Sequence, residues 1–132
     1  MNEYWIVAGV FMIIGGLMHT IIGEKKVIAE LKRQKEGGDF PDDEAFNLIR
    51  WFWYLGSFVS FWIGGVSLII GLTNGVLENE EIIAKLLASL MFGFSILTFG
   101  IVVLLNPKDL LKLSQVLILI FVMLLLWFGA SV

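Results

Sequence analysis

Residues 4–23, 51–73, 86–105 and 113–132 contain no Lys, Arg, Asp or Glu, and the charged positions crowd into the segments between them. Each stretch is about 20 residues long, which as helix at about 1.5 Å per residue matches a hydrocarbon layer of roughly 30 Å. The pattern inside them is neither amphipathic nor alternating. The last, LSQVLILIFVMLLLWFGASV, is apolar all round after Gln115; a surface helix would keep a polar face and a barrel strand would alternate. The pattern predicts four membrane-spanning helices, over about residues 4–23, 51–73, 84–105 and 113–131. They form one all-α domain covering residues 1–132.

The polar segments predict how these helices are joined. EKKVIAELKRQKE after the first span is rich in helix formers, with Val27, Ile28 and Leu31 on one face. Gly37 and Gly38 read as a helix stop, and the run from Asp39 through Pro41 to Glu44 as a new start. Helices one and two are therefore expected to extend beyond the membrane as an antiparallel hairpin, packing Val27, Ile28 and Leu31 against Phe46 and Ile49. Thr73, Asn74 and Gly75 end the second helix, and Asn79, Glu80 and Glu81 begin the third, with Glu81 one turn from Lys85. Asn106 caps and Pro107 opens the fourth. Links this short favour an up-down-up-down bundle.

Composition agrees: 58% of the chain is hydrophobic and 16% charged, too little charge to cover a soluble domain. The net charge of −3 matters less than its placement. Lys25, Lys26, Lys32, Arg33, Lys35, Arg50, Lys108 and Lys112 lie on one side, while the opposite side carries Glu3, Glu78, Glu80, Glu81 and, of the cations, Lys85. Positive-inside bias then puts both termini outside and residues 24–50 in the cytoplasm of a bacterial or archaeal membrane. Tyr4, Trp5 and Trp127 fall at the outer interface, and Trp51, Trp53 and Tyr54 at the inner one. The Met1-Asn2-Glu3 opening lacks the basic flank of a signal peptide. The absence of cysteine excludes disulfides and thiol chemistry.

Small residues recur on particular faces. Gly9, Gly16 and Gly23 alternate with Met12 and His19 in the first span; Gly56, Ser60, Gly64, Ser67 and Gly71 follow in the second, and Ser89, Gly93 and Gly100 in the third. Such residues let helices approach closely where lipid offers no hydrophobic drive, so they are expected to mark helix contacts. His19, the only histidine, shares this seam about one turn inside the cytoplasmic boundary. Matching depths on the antiparallel second helix pairs Glu24 with Arg50 and His19 with Tyr54. Asn106, Ser114 and Gln115 approach from the same side. The candidate site is thus His19, Glu24, Arg50 and Tyr54, with Asn106, Ser114 and Gln115 as further members. Ionisable groups at membrane depth are functional candidates. The competing reading makes them an interfacial ion pair and a hydrogen bond locking the hairpin. Trp62, near mid-span, is a further candidate because its indole N–H needs a partner inside the bundle, unless the ring packs against lipid.

The pattern His19-x-x-x-Gly23-Glu24, followed by Arg50-x-x-Trp53-Tyr54, resembles uncharacterised small four-span bacterial membrane proteins. The resemblance covers the first two helices and implies no activity. In that family a histidine is expected where this chain has Tyr54, so the departure argues against a two-histidine metal or haem site.

Other chemistry finds little support. His19 and Glu24 are five residues apart and do not stack on one helical face, so no metal site is expected. No cofactor is expected; haem held by His19 and a methionine would need Met12, Met18, Met91 or Met123 to be more than a gap-filler. Gly15-Gly16 and Gly64-Gly65 lie inside apolar helices, so no phosphate loop is present. Ser57, Ser60, Ser67, Ser89 and Ser95 are expected to lack a histidine at their depth and hence a base. Acids interrupt the basic run at 25–35, which argues against nucleic acid. The sequence therefore reads as a non-enzymatic membrane protein, an accessory subunit or a small transporter or channel protomer, in contact with lipid and with copies of itself or a larger complex. The alternative is a membrane-interface enzyme or lipid-binding protein using His19 and Arg50.

Overall fold

Where they are described, the charge-free stretches are helical to within a residue or two of their ends, which satisfies their backbone groups within each segment. The computed structural model describes residues 1–38, 43–73, 75–105 and 113–131, with side chains for all of these except 101–105 and 113–115. Helix α1 (Glu3–Ile22) runs through a π-helical turn (Gly23–Ile28) into α2 (Ala29–Glu36). Helices α3 (Asp43–Leu72), α4 (Glu80–Leu105) and α5 (Leu113–Gly129) follow, with no strand among the described residues. The expected caps at Asp39 to Asp42 and at Asn106-Pro107 lie outside the described residues. Three helical stretches, Glu3–Glu36, Asp43–Leu72 and Glu80–Gly100, are long and apolar enough to cross a membrane. The fourth predicted span is shorter: α5 is 17 residues, because Ala130 N–H turns back to Leu126 and Trp127 and Ser131 N–H to Phe128.

The chain groups into two compact units, Met1–Phe11 with Gly64–Val132, and Met12–Ile63. In the first, Asn2 acts as the N-cap of α1, its Oδ1 accepting from Trp5 N–H at 3.3 Å. Asn2 also reaches two other helix ends, donating from its backbone N to Gly71 O (2.8 Å) and from Nδ2 to Gly129 O (2.7 Å). Trp5, expected in an outer aromatic belt, is instead buried, and its Nε1–H donates to Leu126 O at 3.2 Å. Of the carbonyls at the end of α5, Gly129 O takes its donor from Asn2, while Leu126 O accepts from both Trp5 and Ala130 N–H. Phe11 meets Phe121 edge to face, with centroids 5.3 Å apart. Helix α4 packs against α5, burying Ala84, Leu87, Ala88, Met91 and Ser95 on one side and Val116, Val122 and Leu126 on the other.

The turn from α3 to α4 is organised by Glu80, a residue the sequence marked only as a helix start. Its buried carboxylate accepts from Gly75 N (2.7 Å), Leu77 N (3.1 Å) and Thr73 Oγ1 (3.4 Å), closing a turn in which Gly75 and Asn79 take positive φ of 84° and 69°. These donors, the Gly75 N–H first, hold the Glu80 carboxyl below its ordinary pKa, against the opposite pull of burial. Glu81 and Lys85 pair as expected, at 3.7 Å.

The second unit is the expected antiparallel helical hairpin. Gly16 lies beside Ser60 and Phe61, Gly23 beside Trp53, and Lys35 Nζ bonds Asp43 at 2.7 Å while sitting 4.9 Å above the Phe46 ring. Ile28 and Phe46 are buried. Ile49, expected in the same contact, is exposed.

The π-helical turn explains which residues of α2 face the hairpin. The α1 seam is Gly9, Met12, Gly16 and Gly23, all buried. Continued at 100° per residue, it would carry Lys26 and Glu30 inward. A turn of about 4.4 residues, with i→i+5 bonds such as Ala29 N to Glu24 O, delays the phase by nearly one residue. Val27, Ile28 and Leu31 then lie inward, while Lys26 and Glu30 are exposed.

Candidate functional site

Glycine on one helix and a flat ring on the other build the surroundings of His19. Gly23 has no side chain, and the indole of Trp53 occupies the space its Cβ would take. There Trp53 stacks on the His19 ring, with centroids 4.2 Å apart and planes 9° from parallel, and its Nε1–H donates to His19 O at 3.3 Å. One turn further along α3, Ser57 is buried and shares a hydrogen bond of 2.9 Å between its Oγ and His19 Nδ1, the donor being set by the imidazole tautomer. Gly56 completes the wall: a Cβ there would lie 3.3 Å from His19 Cε1.

The expected cluster is thus re-sorted. His19 bonds Ser57 rather than Tyr54. Tyr54 instead serves Arg50, whose Nη2 lies 3.5 Å from its hydroxyl and whose guanidinium carbon is 5.6 Å from its ring centroid. Glu24 and Arg50 do not pair; the described ion pairs are Glu30–Arg33, Lys35–Asp43 and Glu81–Lys85. Trp62 is 64% exposed and points outward from α3, so it is no member of an interior site. Asn106 lies outside the described residues, as do the side chains of Ser114 and Gln115. Ser57 does have a histidine at its depth, contrary to expectation.

Trp53, Gly56 and Ser57 are the residues that sequence reasoning missed. By sequence Trp53 reads as part of an interfacial belt and Ser57 as a serine without a base. The signal for Trp53 is the Gly23 notch, which its ring fills; nothing in the sequence singles out Ser57 among the serines of α3.

Chemically the arrangement favours packing. Among the described residues, every buried side-chain nitrogen and oxygen has a hydrogen-bond partner. No group of three or more His, Asp or Glu among them is placed to hold a metal ion. The Ser57–His19 pair has no carboxylate beyond the imidazole among the described hydrogen bonds and ion pairs, and so lacks the orienting third member of a triad. No family model, curated protein or solved structure matches the chain.

Proposed function

We propose that this chain is a non-enzymatic multi-pass membrane protein, an accessory subunit in preference to a small transporter or channel protomer. In this reading its four apolar helices run up-down-up-down, both termini lie outside, and the hairpin of residues 24–50 stands in the cytoplasm of a bacterial or archaeal membrane. The observation that carries it is the condition of His19. The one histidine is half-buried, stacked on Trp53 and bonded to Ser57, and no described hydrogen bond or ion pair links that pair to a second ionisable group that could carry a proton onward. The outer faces support the membrane part, since Phe58, Trp62, Leu86, Leu97 and Leu117 are each more than half exposed, as befits side chains solvated by lipid or a partner helix.

Extraction from native membranes in a mild detergent, followed by mass measurement of the intact complex, tests this reading. A second membrane polypeptide bound in fixed ratio is expected. A multiple of this chain's own mass would favour the transporter or channel protomer, and a single copy with no partner would refute both. Protease should cut between residues 32 and 44 in inverted vesicles and not in intact cells; the reverse would overturn the topology.

The enzyme alternative has one observation in its favour, the 2.9 Å contact between Ser57 and His19. A fluorophosphonate probe that labels Ser57 in the folded protein, and not in His19→Ala, would establish it. The burial of Ser57 predicts no labelling.

A further inference from the structure

Arg50 is the last charge before the charge-free stretch of α3, and its surroundings do not neutralise it. Its neighbours Leu48, Ile49, Trp51 and Phe52 are all exposed and apolar. No described ion pair includes it, and its contacts are with Tyr54, an uncharged phenol one turn deeper in the helix. The contact with Tyr54 draws the guanidinium toward the span rather than back toward Asp43 and Glu44. On the other arm of the hairpin, Gly23 faces Trp53, which sets exposed Lys25 and Lys26 at about the level of Arg50; half-buried Glu24 shares that level without pairing to it. The band therefore holds three cations against one acid, and it is framed by aromatic rings.

An unneutralised guanidinium is costly below the headgroup layer and is best matched by a group that accepts two parallel N–H bonds. At the level where a helix enters a bilayer, that group is the lipid phosphodiester. Exposed Trp51 sits beside it, as aromatic rings do at that depth. We propose that Arg50, held against Tyr54 and flanked by Trp51, Lys25 and Lys26, binds the phosphate of an anionic phospholipid headgroup. The site rests on the membrane reading above and adds to it a ligand class and a place.

The full-length protein in detergent micelles provides the test, with phosphatidylglycerol or phosphatidylcholine added and the thermal unfolding midpoint read by circular dichroism. Phosphatidylglycerol is expected to raise the midpoint, since a ligand that binds only the folded state stabilises it, and phosphatidylcholine is not. Arg50→Gln should lose at least half of that rise. Arg50→Lys, which keeps the charge but not the fork, should lose part of it, and Lys85→Gln should keep all of it. Inorganic phosphate at equal concentration should leave the midpoint unchanged. A full rise in Arg50→Gln, an equal loss in Lys85→Gln, or a rise with inorganic phosphate would each overturn the lipid site. A wild-type protein that stays dispersed without detergent would instead refute the membrane reading, so the two failures are distinct.

Discussion

Two glycines of α1 receive the same substitution to opposite effect. A Cβ at Gly9 would lie 2.7 Å from Leu68 Cγ, 2.8 Å from Gly64 O and 2.9 Å from Leu68 N. Two of those atoms are backbone, so no rotamer change relieves them, and α1 and α3 must separate locally by roughly 0.5–1 Å to restore ordinary contact. At Gly15, six residues along, an added Cβ meets nothing within 4 Å. Replacing glycine by alanine in a helix gains about 0.5–1 kcal/mol at either position, whereas overpacking costs about 1–3 kcal/mol. Gly9→Ala should therefore destabilise by about 1–2 kcal/mol net, and Gly15→Ala should be neutral or stabilise by up to about 1 kcal/mol. Reversible unfolding in mixed micelles with rising dodecyl sulfate, followed by far-ultraviolet circular dichroism, measures both against wild type. The informative quantity is their difference, because the propensity gain is common to both. Equal effects, or a stabilising Gly9→Ala, would show that the α1 seam is not the close contact inferred from its glycines.

The remaining predictions use the same unfolding assay or a direct probe. Trp5→Phe should cost about 1–3 kcal/mol, the lost indole volume outweighing the lost bond, because Leu126 O keeps Ala130 N–H as a donor. Asn2→Ala, which removes both the cap of α1 and a donor to Gly129 O, should cost about 1–2 kcal/mol. Ser57→Ala should shift the His19 imidazole resonances in an NMR spectrum while Tyr54→Phe leaves them in place; the converse would restore the pairing expected from helix depth. Glu80 is stabilised as a carboxylate by the fold, so its contribution is complete above its ordinary pKa of 4.5 and is lost as pH falls below that value toward its lowered one. Glu80→Gln should be less stable than wild type at neutral pH, and the gap should narrow on acidification; a pH-independent gap would mean that packing, not charge, holds the turn.

The helices were legible because their signal is local: long charge-free runs bounded by charges and turn residues mark where each helix lies. The seam through Gly9, Gly16 and Gly23 was legible for a similar reason, since small residues at helical spacing permit close approach. The partner of His19 was not. Depth matching fixes position along a helix only to about a turn, and within that turn each residue rotates the side chain by 100°. Counting depth from Glu24 and Arg50 matches His19 with Tyr54, but Glu24 and Arg50 do not pair. The observed register, with Gly23 against Trp53, puts Ser57 at the level of His19 on the side of α3 that also carries Trp53 and Gly56. Trp5 misled by chemical type: an aromatic near the end of a span usually sits at the interface, and what overrides this is the space beside Gly129, which has no Cβ and takes the indole. Glu80 escaped notice because its donors come from a turn whose backbone geometry no periodicity encodes.

The wide turn at Gly23–Ile28 makes the two ends of that long helix unequal in what they tolerate. It contains, in effect, one surplus link. Removing Lys25 or Lys26 would let the segment tighten to ordinary winding while Ile28 and Leu31 keep facing Phe46, so a shorter chain is expected to fold with this arm intact. The same excision at Ile13 or Ile14 would swing either His19 or Gly9 about 100° around the axis, away from the ring that covers one or the backbone that fits the other.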